Sequence, residues 1–241
     1  MLDWLRRDPR EQAVVEISGR RIPIVIRHLD RARRMTMRLA PDGSEVRVSI
    51  PRWARSADAL AFARSRQDWL ASQLAALPQR QPLTQGGTVL FRGEPLVLVH
   101  DPSAPRKPMR CTGELRLGGM ESSMQPRVLR WLQDEARELF ATDLADYCER
   151  AGEPCPPLAL SGAQRRWGSC SHQGTIRINW RLVMAPDLVR RSVVAHEVAH
   201  LVHFDHSPAF HRVLQTIFEG SVPEANRWLT AHGRSLYVPF G

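Results

Sequence analysis

Apolar and polar positions alternate with a period near two through much of the first half of the chain. AVVEISGRRIPIVIRH, RRMTMRLAP and EVRVSIP alternate or cluster β-branched residues, and the PDG at Pro41 to Gly43 marks a hairpin turn between the last two. A three-stranded meander is the expected outcome. The spacing becomes helical in SADALAFARSRQDWLASQLAAL, with Ser56 as the N-cap and Pro78 closing the run. The polar stretch PQRQPLTQGG then links to TVLFRGEPLVLVH, a hairpin around Arg92 to Glu94. DPSAPRKPM is too proline-rich for regular structure and reads as a surface loop.

The second half is mainly helical in its periodicity. A long amphipathic helix is predicted over Gln125 to Arg150, with Pro126 near its start and Gly152 beyond its end. RRWGSCS and TIRINWRL flank HQG as a second hairpin. Pro186 and Asp187 then open the most apolar helix of the chain. Ser207 and Pro208 form an N-cap and first-turn pair for PAFHRVLQTIF, and Pro223 begins a short last helix. The expected class is α+β, with a β-rich region carrying one helix over 1–124 and a helical region with a small β-hairpin or sheet over 125–241. No internal repeat and no low-complexity tail is visible.

Composition narrows the setting. The chain has 241 residues, 43% hydrophobic and 24% charged, which is ordinary globular material long enough for one large domain or two small ones. MLDWLRRDPREQ lacks the apolar core of a signal peptide, and no later window is apolar for long enough to cross a bilayer, so the expectation is a soluble cytoplasmic protein with no membrane partner. Four scattered cysteines, Cys111, Cys148, Cys155 and Cys170, suit reduced thiols rather than a disulfide scaffold. The net charge of +9 keeps a nucleic-acid partner open. However, 33 of the 34 basic residues are arginine, which GC-rich coding explains equally well. Oligomeric state is not legible.

One stretch breaks the pattern: VVAHEVAHLVHFDHSPAFH sets five histidines and a glutamate in an otherwise apolar run. On a helix, His196 and His200 lie on one face and can grip one metal ion. Glu197 then sits beside the ion, placed to reach a water on it, as in zinc hydrolases with HExxH. Imidazole ligands favour zinc over magnesium or calcium. A catalytic zinc takes a third protein ligand. His203 lies about 4.5 Å further along the axis than His200, past the ion. The chain must turn instead, and Asp205 with the Ser207–Pro208 cap places that turn so that His206 emerges as the third ligand. His203 becomes a last-turn residue near free carbonyls, and His211 a surface or supporting group on the next helix. A glutamate third ligand, Glu219 or Glu224, remains an alternative.

The combination RRWGSCS, GTIRINWRL and VVAHEVAHLVHFDHS resembles the YgjP-like metallopeptidase family, a zincin-like group related to the SprT-type proteases. The likeness covers most of the chain, from near Ile17 to about Trp228, with its specific motifs between Arg166 and Phe210. It implies a zincin-like fold for the C-terminal half, zinc on His196, His200 and His206, Glu197 as base, and a protein or peptide substrate. His211 departs from the family, which tends to carry tryptophan after HSxxF. In zincin-like folds a strand at the cleft edge can pair with substrate backbone, a place TIRINWRL is expected to fill. Arg166, Trp167, Ser169, Cys170, Asn179 and Trp180 are candidates to line that cleft, with packing preferred for the tryptophans and Cys170, and substrate or turn hydrogen bonds for Arg166 and Asn179. The expected function is hydrolysis of peptide bonds by a zinc-activated water with Glu197 as general base. A zinc hydrolase of a non-peptide substrate such as a nucleotide, or a non-catalytic metal-binding module, are the alternatives.

Overall fold

The computed structural model describes residues 13–77 and 83–240. Contacts divide the described residues into two compact units, 13–77 and 83–240. The division between units thus falls between 77 and 83, not at the expected 124/125. The reason is packing: Val89, Leu98 and Leu117 share one apolar cluster with Val128, Leu132 and Phe140 of the long helix, so 83–124 belongs with the helical half of the chain. The expected signal-peptide-free start and Pro78 lie outside the described residues. The mixture of strands and helices is α+β, as expected.

In the first unit, β1 (Val14–Ile17) and β2 (Arg20–Leu29) form a hairpin turned by Ser18 and Gly19, both at positive φ. β3 (Thr36–Leu39) and β4 (Val46–Pro51) form a second. The sheet order is β1-β2-β4-β3, and β2 pairs with β4 in parallel. The expected three-stranded meander is thus corrected twice: AVVEISGRRIPIVIRH contains two strands, and the third strand in sequence sits at the edge. Alternation identifies strands but is silent on partners. The expected single helix over 56–77 is two, α1 (Ser56–Arg64) and α2 (Gln67–Ala75), broken at Ser65–Arg66. Ser56 is inside α1; Arg55 is its N-cap, with its backbone N–H donating to Asp58 at 2.9 Å.

The second unit begins with β5 (Thr88–Phe91), β6 (Glu94–His100), β7 (Met109–Cys111) and β8 (Glu114–Leu117) in the order β5-β6-β8-β7. This is the same topology: a hairpin turned by two positive-φ residues, here Arg92 and Gly93, then a parallel pair, then an antiparallel edge strand. A structural repeat is therefore present where none was expected. It is faint in the sequence because only the turn and the alternation recur, as in SGRRIPIVI against RGEPLVLV.

α3 (Met124–Ala151) ends on Gly152 in the left-handed region at φ 68°, the conformation a glycine adopts without strain. β9 (Leu158–Ser161), β10 (Gly168–Cys170) and β11 (Ile176–Asn179) make a small sheet in the order β10-β11-β9. A 3-10 turn, Trp180–Met184, leads into α4 (Asp187–Val202), followed by α5 (Pro208–Ile217), α6 (Val222–His232) and a 3-10 segment Gly233–Phe240. Among the described residues no helix is long and apolar enough to cross a membrane.

α4 is tied to α3 by charge as well as apolar contact. Arg190, only 4% exposed in its side chain, donates to Asp143, 3% exposed, at 2.7 and 3.3 Å. Arg191 reaches Asp143 at 3.0 Å, Asp146 at 2.7 Å and Glu219 at 2.6 Å. Asp187 takes both Arg190 and Arg92. Most of these partners are far apart in sequence, so no motif announces the lattice of ion pairs.

Candidate metal centre

The last two turns of α4 carry His196, Glu197 and His200. Val193, Val194, Ala195, Val198 and Ala199 around them are buried in the main core, so the helix cannot shift without exposing apolar surface. α4 ends at His203, whose extended backbone is the C-cap and whose N–H still reaches Ala199 O at 3.0 Å. In the turn beyond it, Asp205 accepts the Ser207 N–H at 3.2 Å and the Ser207 hydroxyl accepts the Phe210 N–H at 3.4 Å. That pair of caps turns the chain back and returns His206 to the histidines of α4.

The three imidazoles converge. One ligand nitrogen from each of His196, His200 and His206 lies within 4.8 Å of the others, the only such cluster among the described residues. His196 Nε2 and His206 Nε2 are 3.2 Å apart. Two nitrogens bound to one tetrahedral zinc are about 3.3 Å apart, so this spacing fits a shared ion. The Nδ1–H of His200 donates to the carbonyl oxygen of His203 at 3.0 Å, which leaves its Nε2 lone pair free for a cation. Phe210, fully buried, floors the group, its ring 5.0, 4.6 and 4.9 Å from those of His196, His200 and His206. Burial pushes the His196 imidazole down to about 4, aided by the neighbouring histidines, and also lowers His200; both favour the neutral, ligating form.

Glu197 is 6% exposed, and burial pushes its carboxyl up to about 7 against the opposing pull of the Cys170 backbone N–H and of Arg166. The carboxylate lies directly across β10. A Cβ on Gly168 would overlap Glu197 Oε1 and stand 2.7 Å from Cγ and 2.8 Å from Cδ. The glycine of RRWGSCS is therefore the space that Glu197 occupies, and Cys170, two residues on along the same strand, supplies the hydrogen bond. A glycine inside a strand pattern is the signal that could have pointed there.

Other expected site residues fall elsewhere. His203 contributes its carbonyl, not its ring, and His211 is exposed, packed at 5.3 Å on Phe210. Glu219 is occupied by Arg191, Arg150 and Tyr147, while Glu224 sits in the first turn of α6. Neither belongs to the cluster. Asn179 is fully buried and makes turn contacts, donating to Ala163 O at 2.7 Å and Tyr237 Oη at 3.0 Å and accepting from Arg181 N. It lines no cleft. Trp180 is buried in the core, and Trp167 and Cys170 pack against that core, the packing role expected of all three. TIRINWRL is corrected as well: β11 is the central strand, with both edges already paired, so it cannot accept another strand. β10 is the sheet's edge beside Glu197.

A model of the YgjP-like metallopeptidase domain matches residues 33–232. The chain belongs to the YgjP-like family. No curated protein matches the sequence. Among solved structures, the crystal structure of the metallopeptidase zymogen of Pyrococcus abyssi, abylysin, is similar at a TM-score of 0.35 and 21% identity, over 38% of this chain and 92% of that one. The YgjP-like match takes in the histidine cluster, Glu197 and β10. As a family of metallopeptidases it implies a metal ion and protein or peptide substrates.

Proposed function

We propose that this chain is a zinc-dependent peptidase in which His196, His200 and His206 hold the ion and Glu197 is the general base. The observation that carries the reading is the convergence of three imidazole nitrogens next to a buried carboxylate held by a backbone N–H. When bound, zinc supplies a Lewis acid that acidifies water to a pKa of about 7 and polarises a carbonyl. The Glu197 carboxylate takes the proton of the attacking water and returns it to the nitrogen of the leaving amine. The apolar surroundings of α4 keep bulk water from solvating that carboxylate, and Phe210 keeps the three rings in place. β10 is the strand of the small sheet beside Glu197, so an extended peptide would lie along it, with the Cys170 N–H kept for the carboxylate. Four free cysteines suit a reducing compartment such as the cytoplasm.

Purified protein should hold about one zinc per chain by elemental analysis and cleave members of a peptide library, leaving nucleoside triphosphates intact. Less than half an equivalent of transition metal after purification in zinc, or hydrolysis of the triphosphates alone, would overturn the reading.

Replacing the ligands should rank them. His206→Ala is expected to strip the metal, because no other residue delivered by the turn reaches His196. His203→Ala should retain it, since the carbonyl that orients His200 survives the change, and His211→Ala should retain it too. Metal content after dialysis against a weak chelator reads the order, and metal loss in His203→Ala alone would reverse it.

Gly168→Ala tests the space under Glu197. The added methyl must displace the carboxylate, so turnover should fall at least about tenfold at unchanged zinc content. Added to Glu197→Gln, the same change should cost little more, because both act through one side chain. Additive losses in the double variant would place the effect of Gly168 elsewhere.

A further inference from the structure

We propose that a cavity against the N-terminal part of α3 binds a small phosphomonoester carrying an apolar body. The cavity, about 690 Å³, lies between the loop before β7, the turn before α3 and the first turns of α3. Four cations line it, Arg106, Lys107, Arg127 and Arg130. Its single lining carboxylate, Asp134, is already engaged by Arg137 at 2.6 Å. Glu135, outside the lining, is within electrostatic reach of Lys107. The wall between the charges is apolar: Pro108, Met120 and Trp131, the last backed by the Phe91 ring at 5.0 Å.

Arg127 makes this more than a solvated basic patch. Its Nε donates to Ser123 O at 3.0 Å and its Nη2 to Met120 O, which locks the guanidinium. Its Nη1 is buried and has no acceptor. A buried donor without a partner costs free energy, and a charged one costs more. Arg106 lines the same cavity. A Cβ on Gly119 would be 3.0 Å from Arg127 Nη1 and 3.3 Å from Arg106 Cγ, so both side chains pack over the same glycine. An anion in the cavity supplies counter-charge to the four cations of its lining.

The chemistry of the lining selects the ligand class. Planar guanidinium forks match phosphate oxygens, and a lining of four cations suits a dianion better than a monoanion. The volume lies within the range of small-molecule sites, about 300–1,000 Å³, well beyond what bare phosphate fills. The remaining wall, Met120 and Trp131 included, is suited to an alkyl or aryl group. The inference is independent of the metal centre and stands whether or not that reading holds.

Isothermal titration at low salt with octyl phosphate, 1-naphthyl phosphate and inorganic phosphate tests it. At least one organic phosphate should bind saturably at one equivalent, about tenfold or more tighter than inorganic phosphate, and the tighter of the two identifies the body as alkyl or aryl. The double variant Arg106→Ala with Arg130→Ala removes two exposed side chains, so its fold should survive, as circular dichroism checks. Its affinity should drop at least about tenfold. Equal affinity in that variant, equal binding of inorganic phosphate, or no saturation by either organic phosphate at millimolar concentration would each overturn the proposal.

Discussion

Glu197→Gln is expected to lower peptide turnover by several hundredfold or more while the protein keeps its fold and its zinc. Removing a general base costs about 10² to 10⁴ in rate, and here no neighbouring group is placed to substitute for it. The glutamine oxygen can still accept the Cys170 N–H, and the side chain still fits over Gly168, so neither the helix nor the strand has reason to move. The substitution also removes a carboxylate that burial disfavours, so thermal stability should hold or rise. Turnover on any cleaved peptide, zinc content and melting temperature decide together. Wild-type turnover would rule Glu197 out as the base. Loss of zinc would make it a ligand.

Asp143→Ala should destabilise the second unit by about 3–5 kcal/mol, the usual penalty for removing one partner of a buried ion pair. Arg190 would stay buried at 4% side-chain exposure with only Asp187 left to it, and Arg191 would lose its most buried partner. The consequence reaches the site, since Arg190 sits on the same helix as His196, and the pair fastens that helix to α3. The double variant Asp143→Ala with Arg190→Met should recover much of the loss, because the cost comes from the uncompensated charge rather than from a lost attraction. Denaturant midpoints for the two variants provide the measurement. An Asp143→Ala midpoint equal to wild type would show that water reaches Arg190.

The histidine cluster is legible in the amino-acid sequence because helix geometry is local. The i and i+4 spacing of His196 and His200 puts two rings on one face, and Asp205, Ser207 and Pro208 encode a turn within hydrogen-bonding distance along the chain, enough to expect His206 beside them. The same locality explains why the expected helices α3 through α6 lie close to their observed ends, where Gly152, Ser207 and the prolines act on their own neighbours. What the tertiary structure alone decided involves partners far apart in sequence. Alternation named the strands of β2, β3 and β4 but not the order that makes β2 and β4 neighbours, since pairing depends on a crossover that no local signal encodes. Which strand of the small sheet is its edge, why Gly168 has no side chain, and how Arg190 and Arg191 find Asp143 across 47 and 48 residues all depend on three-dimensional packing. Glu197 joins the two levels: its place on the helix comes from the spacing of HEVAH, but the dry, hydrogen-bonded environment around its carboxylate exists only because β10 folds over it.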